Sequence, residues 1–152
     1  MIKSVKDCGN TVSVLVVEDD DDDYDFLEHT LKGCCKETLI NWVKDGDQAV
    51  DYLFKRGDYE DETRYPKPDM VFLDIRVPKK NGLEIAKIVK EDSVLKKVPT
   101  IMLTTSSSSA DVLSAYENGV NLYFKKPEGF EEMEQFKKAI GLFFCSSIVL
   151  YP

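Results

Sequence analysis

Apolar positions along the chain gather into five short runs: TVSVLVV at 11–17, TLINWV at 38–43, DMVFL at 69–73, PTIML at 99–103 and NLYF at 121–124. Most are continuous rather than alternating, as expected of strands covered on both faces in a parallel sheet. Between the runs the period changes. Leu27 and Leu31 stand four apart. Ala49, Val50, Leu53 and Phe54 form a second set, Ile85, Ile88 and Val89 a third, and Val112, Ala115 and Tyr116 a fourth. Met133, Phe136, Ile140 and Phe143 alternate three and four apart. Each set predicts a helix with one buried face.

Strand and helix alternate five times, which predicts an α/β domain: a doubly wound, five-stranded parallel sheet with helices on both faces. Right-handed crossovers leave only a few topologies. Turn signals mark the joints: KPD at 67–69, Asn81–Gly82, Asn118–Gly119 and Lys126–Pro127. The segment GDYEDETRYPKP at 57–68 reads as a polar loop with little capacity to bury a core. These limits predict an N-terminal extension at 1–11, one domain at 12–144 and an apolar tail at 145–152. The tail's Ile148 to Tyr151 has two uses open to it, packing on its own domain or joining two copies.

Composition narrows the class. With 152 residues, 43% hydrophobic and 32% charged, one core is the expectation. The net charge of −8 comes without any basic cluster, which disfavours nucleic acid. No segment reads as a signal peptide or a membrane span. Cys8, Cys34, Cys35 and Cys145 match neither a zinc site nor a redox pair, and read as free thiols in a reducing cytoplasm. His29 is the only histidine. One histidine on an acidic helix reads as a surface residue, and leaves little material for a His-based metal site or triad.

The chemistry collects just past the strand ends, where open parallel sheets bind ligands. Glu18 and Asp19 follow the first run, Asp74 the third, Thr104 the fourth and Lys126 the fifth; the second ends without a reactive group. Six consecutive acids occupy 18–23. Two like charges ~4 Å apart repel by about 4 kcal/mol at an effective dielectric near 20, so such a run calls for water or a cation. Carboxylates gathered in this way suit a hard divalent ion such as Mg²⁺. An aspartate beside it is placed to attack phosphorus, with a lysine and a hydroxyl on the phosphoryl oxygens. Asp20 to Asp23 exceed what the site needs and read as capping and solvating the first helix. The register favours Thr104 over Thr105 or Ser106. Lys126 is favoured over Lys125 because it directly precedes Pro127, a bond that can also be cis. An EF-hand is excluded: loops begun at Asp19, Asp20 or Asp21 put Tyr24, Asp25 or Phe26 where glycine belongs.

VLVVEDD, PDMVFLDIRVPKKNG, IMLTTSSS and YFKKP, in that order, resemble a response-regulator receiver domain of the chemotaxis type, over roughly 12–144. The resemblance implies the flavodoxin-like strand order 2-1-3-4-5. It makes Asp74 the phospho-acceptor, with Mg²⁺ held by Asp19, by Glu18 through water, by Asp74 and by the backbone carbonyl of Arg76. Thr104 and Lys126 contact the phosphoryl group, and Thr104 and Tyr123 form the conformational switch. The implied donor is a phosphohistidine of a sensor kinase. The implied output is a downstream protein read through the face of helix 4, strand 5 and helix 5. Such a protein catalyses only its own phosphotransfer and dephosphorylation. The loop at 57–68 and the tail resemble the small stand-alone receivers that pair with phytochrome-like kinases. Two other classes compete. A haloacid-dehalogenase-type phosphatase would need DxD after the first strand, whereas Asp74 follows the third and Arg76 stands at the second Asp position. A phosphorylation-independent pseudo-receiver would lack the site residues that are present here.

Overall fold

The computed structural model describes residues 11–34 and 37–144, except for the Cys34 side chain, together with the backbone of Lys3–Ser4 and Val149–Leu150. Five parallel strands form the central sheet: β1 (Val12–Val17), β2 (Thr38–Val43), β3 (Met70–Leu73), β4 (Thr100–Thr104) and β5 (Leu122–Lys125). Their order is β2-β1-β3-β4-β5, the flavodoxin-like arrangement. The helices are α1 (Asp21–Cys34), α2 (Gly46–Leu53), α3 (Gly82–Glu91), α4 (Ser109–Glu117) and α5 (Gly129–Leu142).

Side chains alternate across a strand, and the parity along β1 divides the core. Val12, Val14 and Val16 face Tyr24, Leu27 and Leu31 of α1 and Phe136 and Ile140 of α5. Leu15 and Val17 face Ala49, Tyr52 and Leu53 of α2 and Ile85, Ala86 and Val89 of α3. All six residues of β1 and all four of β3 are buried, as two covered faces require. The outer strands β2 and β5 are only partly covered.

The fourth helical set differs from expectation. Ala115 is buried, but Tyr116 is 47% exposed and the neighbouring Leu113 60% exposed. Helix α4 sits at the sheet's margin beside partly covered β5, so its buried stripe narrows to Ala115, with Val112 half-covered. The loop at 57–68 also does more than expected. Tyr59 and Tyr65 pack against the fully buried Tyr52 with ring centroids 5.4 and 6.0 Å away. A 3₁₀ turn at Gly57–Tyr59 directs Tyr59 inward.

The two Asn-Gly signals serve opposite ends of helices. Asn81 caps the start of α3, where it forms a capping box with Glu84. Asn118 closes α4, and Gly119 follows at φ 88°, a conformation that suits glycine. Lys126–Pro127 is trans, so the cis option is not taken; trans is the favoured form by about 0.5–1 kcal/mol.

Lys3–Ser4 and Val149–Leu150 pair as a two-stranded antiparallel ribbon. Apart from Thr11, the rest of the proposed extension and tail lies outside the described residues. So does the free-thiol reading, which falls on Cys8, Cys35, Cys145 and the Cys34 side chain. Among the described residues no helix is long and apolar enough to cross a membrane.

Candidate functional site

Carboxylates from two neighbouring strand ends meet beyond the carboxyl edge of the sheet. Glu18 and Asp19 lie in the turn from β1 to α1, and Asp74 directly follows β3. One oxygen from each lies within 4.8 Å of the others. Glu18 and Asp74 are buried, while Asp19 faces solvent. Glu18 Oε1 accepts the Asp20 N–H at 3.0 Å, which curls the turn round the carboxylate. The Arg76 N–H donates to Asp74 Oδ1 at 3.2 Å, and the Arg76 side chain is exposed.

Lys126, just past β5, reaches into the same place. Its Nζ lies 2.7 Å from Glu18 Oε2, 2.8 Å from Asp74 Oδ2 and 2.6 Å from Asp23 Oδ2. Burial opposes its charge, but hydrogen bonds to Asp23, Asp74 and Glu18 outweigh burial and hold the ammonium above the usual lysine range. Burial also pushes the Glu18 carboxyl up to about 7; Lys126 and the Asp20 N–H pull against it, and the charge on Asp74 adds to the rise. Lys125 points away and pairs with Glu128 on the surface.

Thr104 ends β4 and is fully buried, whereas Thr105 is exposed. The Thr104 carbonyl accepts the Lys126 N–H at 2.7 Å, which ties the two strand ends together. Its Oγ1 has no hydrogen-bond partner among the described residues. A buried hydroxyl left so costs about 1–3 kcal/mol, and an oxygen-rich ligand would satisfy it. Tyr123 is half-buried in β5, and its Oη donates to the Ser106 carbonyl at 2.8 Å, linking the strand to the loop after β4. Ser106 Oγ in turn bonds Asp111 Oδ2.

Three clustered carboxylates, one buried lysine and an unpartnered hydroxyl can hold a hard cation and a phosphoryl group together. The response regulator receiver domain family matches residues 14–138. The chain belongs to that family. The receiver is 31% identical to the response regulator Rcp1 of Synechocystis over 90% of its own length and 91% of Rcp1. Its fold superposes on the crystal structure of the Mn²⁺-bound form of Rcp1 with a TM-score of 0.84, covering 93% of this chain and 99% of that one at 30% identity. The phosphorylated cyanobacterial phytochrome response regulator RcpA gives 0.85 at 30% identity, over 94% and 100% of the two chains. The bacteriophytochrome response regulator RtBRR gives 0.71 at 34% identity, over 88% and 80%. Membership of this family displaces the phosphatase alternative.

The structure brings Glu18, Asp19, Asp74 and Lys126 together, with Thr104 bonded to Lys126 through the backbone. Tyr123 lies behind the loop after β4, and His29 is exposed on α1. The acids 20–23 are not simply surplus. Asp20 caps α1 by accepting the Asp23 N–H at 2.9 Å, Asp21 pairs with Lys44 at 2.7 Å, and Asp23 joins the Lys126 cluster. Asp23 sits in the first turn of α1, and its partner Lys126 is 103 residues away, so no local spacing in the sequence signalled the contact.

Proposed function

We propose that this receiver takes a phosphoryl group from the phosphohistidine of a sensor histidine kinase onto Asp74, in a Mg²⁺-dependent step. The working unit is 12–144. The observation that carries this reading is the convergence of the Asp74 carboxylate with those of Glu18 and Asp19 and with the Lys126 ammonium. Asp19, Glu18 and Asp74 would hold the ion, with the Arg76 carbonyl as a further donor. Bound there, the ion supplies positive charge opposite the phosphoryl oxygens.

An Asp74 carboxylate oxygen attacks phosphorus. The O–P bond forms as the P–N bond to the kinase imidazole breaks, and the bonding pair returns to the ring nitrogen. Lys126 neutralises charge on the transferred group, and the Thr104 hydroxyl donates to one of its oxygens. The loop after β4 then shifts with Thr104, and the Tyr123–Ser106 hydrogen bond carries that shift to β5. A downstream protein reads the α4–β5–α5 face, where exposed Leu113 and Tyr116 on α4 offer apolar contacts. Two relatives are named as phytochrome-class response regulators, which supports a photoreceptor kinase as the donor.

Acetyl phosphate labelling followed by intact mass tests this reading. Wild-type protein gains one phosphoryl group with Mg²⁺ and none with EDTA, and Asp74→Asn gains none. An unlabelled wild type would favour the phosphorylation-independent pseudo-receiver.

A further inference from the structure

Strand β2 sends no side chain into the carboxylate cluster, yet it braces the acidic turn from outside. The Glu18 N–H donates to the Val43 carbonyl at 3.1 Å. On the other side of the same residue, Trp42 Nε1 donates to the Glu18 carbonyl at 2.7 Å. The Trp42 indole is stacked on the Tyr24 ring, with centroids 3.9 Å apart and planes 1° from parallel. Tyr24 directly follows Asp23, so the stack also fixes the turn of α1 that presents Asp23 to Lys126. Lys44 lies 4.5 Å from the indole centroid and pairs with Asp21.

We propose that Trp42 is a positioning residue for the cation site, its indole N–H fixing the peptide that joins Glu18 to Asp19. That peptide is planar, so holding the Glu18 carbonyl also sets the direction in which Asp19 leaves the turn. The force to be resisted is the repulsion among carboxylates gathered within 4.8 Å. A turn free to rotate would relieve it by separating Asp19 from Glu18 and Asp74, and an ion would then have to draw them back. A neutral, half-buried donor on the carbonyl side opposes that rotation without adding a competing cation. This inference rests on the metal-site reading above. It adds a residue that touches neither the ion nor the phosphoryl group.

Mg²⁺ titration by calorimetry tests it on three proteins: wild type, Trp42→Phe, and protein carrying 3-benzothienylalanine at position 42. That isostere keeps the size and stacking of tryptophan but has no N–H. Both replacements are expected to weaken Mg²⁺ binding about tenfold, as loss of a partner behind a metal ligand does, with native circular dichroism in EDTA. If Trp42→Phe does not fold, the isostere carries the result. Equal affinities for wild type and the isostere overturn the positioning role and leave the metal site standing. A wild type that binds no Mg²⁺ overturns the metal-site reading, and this role with it.

Discussion

Lys126 Nζ and Asp74 Oδ2 lie 2.8 Å apart and join the ends of two strands that are not neighbours, β5 and β3. The intervening strand β4 is tied in by the Lys126 N–H on the Thr104 carbonyl. The same ammonium also holds Glu18 and Asp23. A single lysine therefore holds three carboxylates that come from two stretches of the chain, the acidic run at 18–23 and the end of β3.

Removing that charge separates stability from metal binding. Lys126→Met leaves Glu18 and Asp74 buried without their counter-charge, and breaking such pairs costs about 3–5 kcal/mol. Urea unfolding in EDTA is expected to show a loss of that order, with Mg²⁺ restoring part of it. Magnesium affinity should be at least that of wild type, because the competing cation is gone, while acetyl phosphate labelling falls. Unchanged stability in EDTA would contradict the role given to Lys126.

Asp19 tests the metal site with little effect on packing, because its side chain faces solvent. Asp19→Ala is expected to weaken Mg²⁺ binding by more than about tenfold, since a hard cation loses both a donor and a charge. The urea midpoint in EDTA should stay within error of wild type. Calorimetric titration beside urea unfolding reads both quantities.

Much of this fold was legible because burial and alternation agree. Every residue of β1 and β3 is apolar or small, so both covered faces were visible in the letters. The site was legible because each of its main residues ends a strand or stands within two residues of a strand's carboxyl end. What stayed hidden depends on partners far along the chain. Asp23 meets Lys126 across 103 residues. Trp42 sits in the one run that ends without a reactive group, and its N–H finds a carbonyl 24 residues away. Tyr59 and Tyr65 were concealed in a loop whose composition is polar, because the ring they pack on, Tyr52, belongs to α2. Tyr116 was misplaced because the period of a helix says which residues share a face, not whether the sheet extends far enough to cover it.

Gly82 shows how tightly α3 approaches the end of β3 that carries Asp74. A Cβ there would stand 2.2 Å from the Asp74 carbonyl oxygen, which is backbone and has little room to yield. Gly82→Ala is expected to cost about 1–3 kcal/mol through overpacking. It should also slow acetyl phosphate labelling, because the Asp74 peptide has to shift. Denaturant titration and labelling rate check the two effects separately.

Tyr52 provides the contrasting case. Its Oη accepts from Asn41 Nδ2 at 3.0 Å and donates to the Pro66 carbonyl at 2.8 Å. Pro66 precedes β3, at the opposite end of that strand from Asp74. Tyr52→Phe leaves both partners unsatisfied and is expected to cost about 1–3 kcal/mol. Labelling should proceed at the wild-type rate in conditions where the variant is folded.

The most direct measurement is to trap the phosphorylated protein with borohydride and read the modified residue by peptide mass spectrometry. An aspartyl phosphate is reduced to homoserine, whereas a free aspartate is not. After treatment with acetyl phosphate and Mg²⁺, homoserine is expected at position 74 and at none of Asp19 to Asp23, and Glu18 is expected unreduced. Homoserine at another position, or at none while the wild type is otherwise active, would contradict the assignment of Asp74.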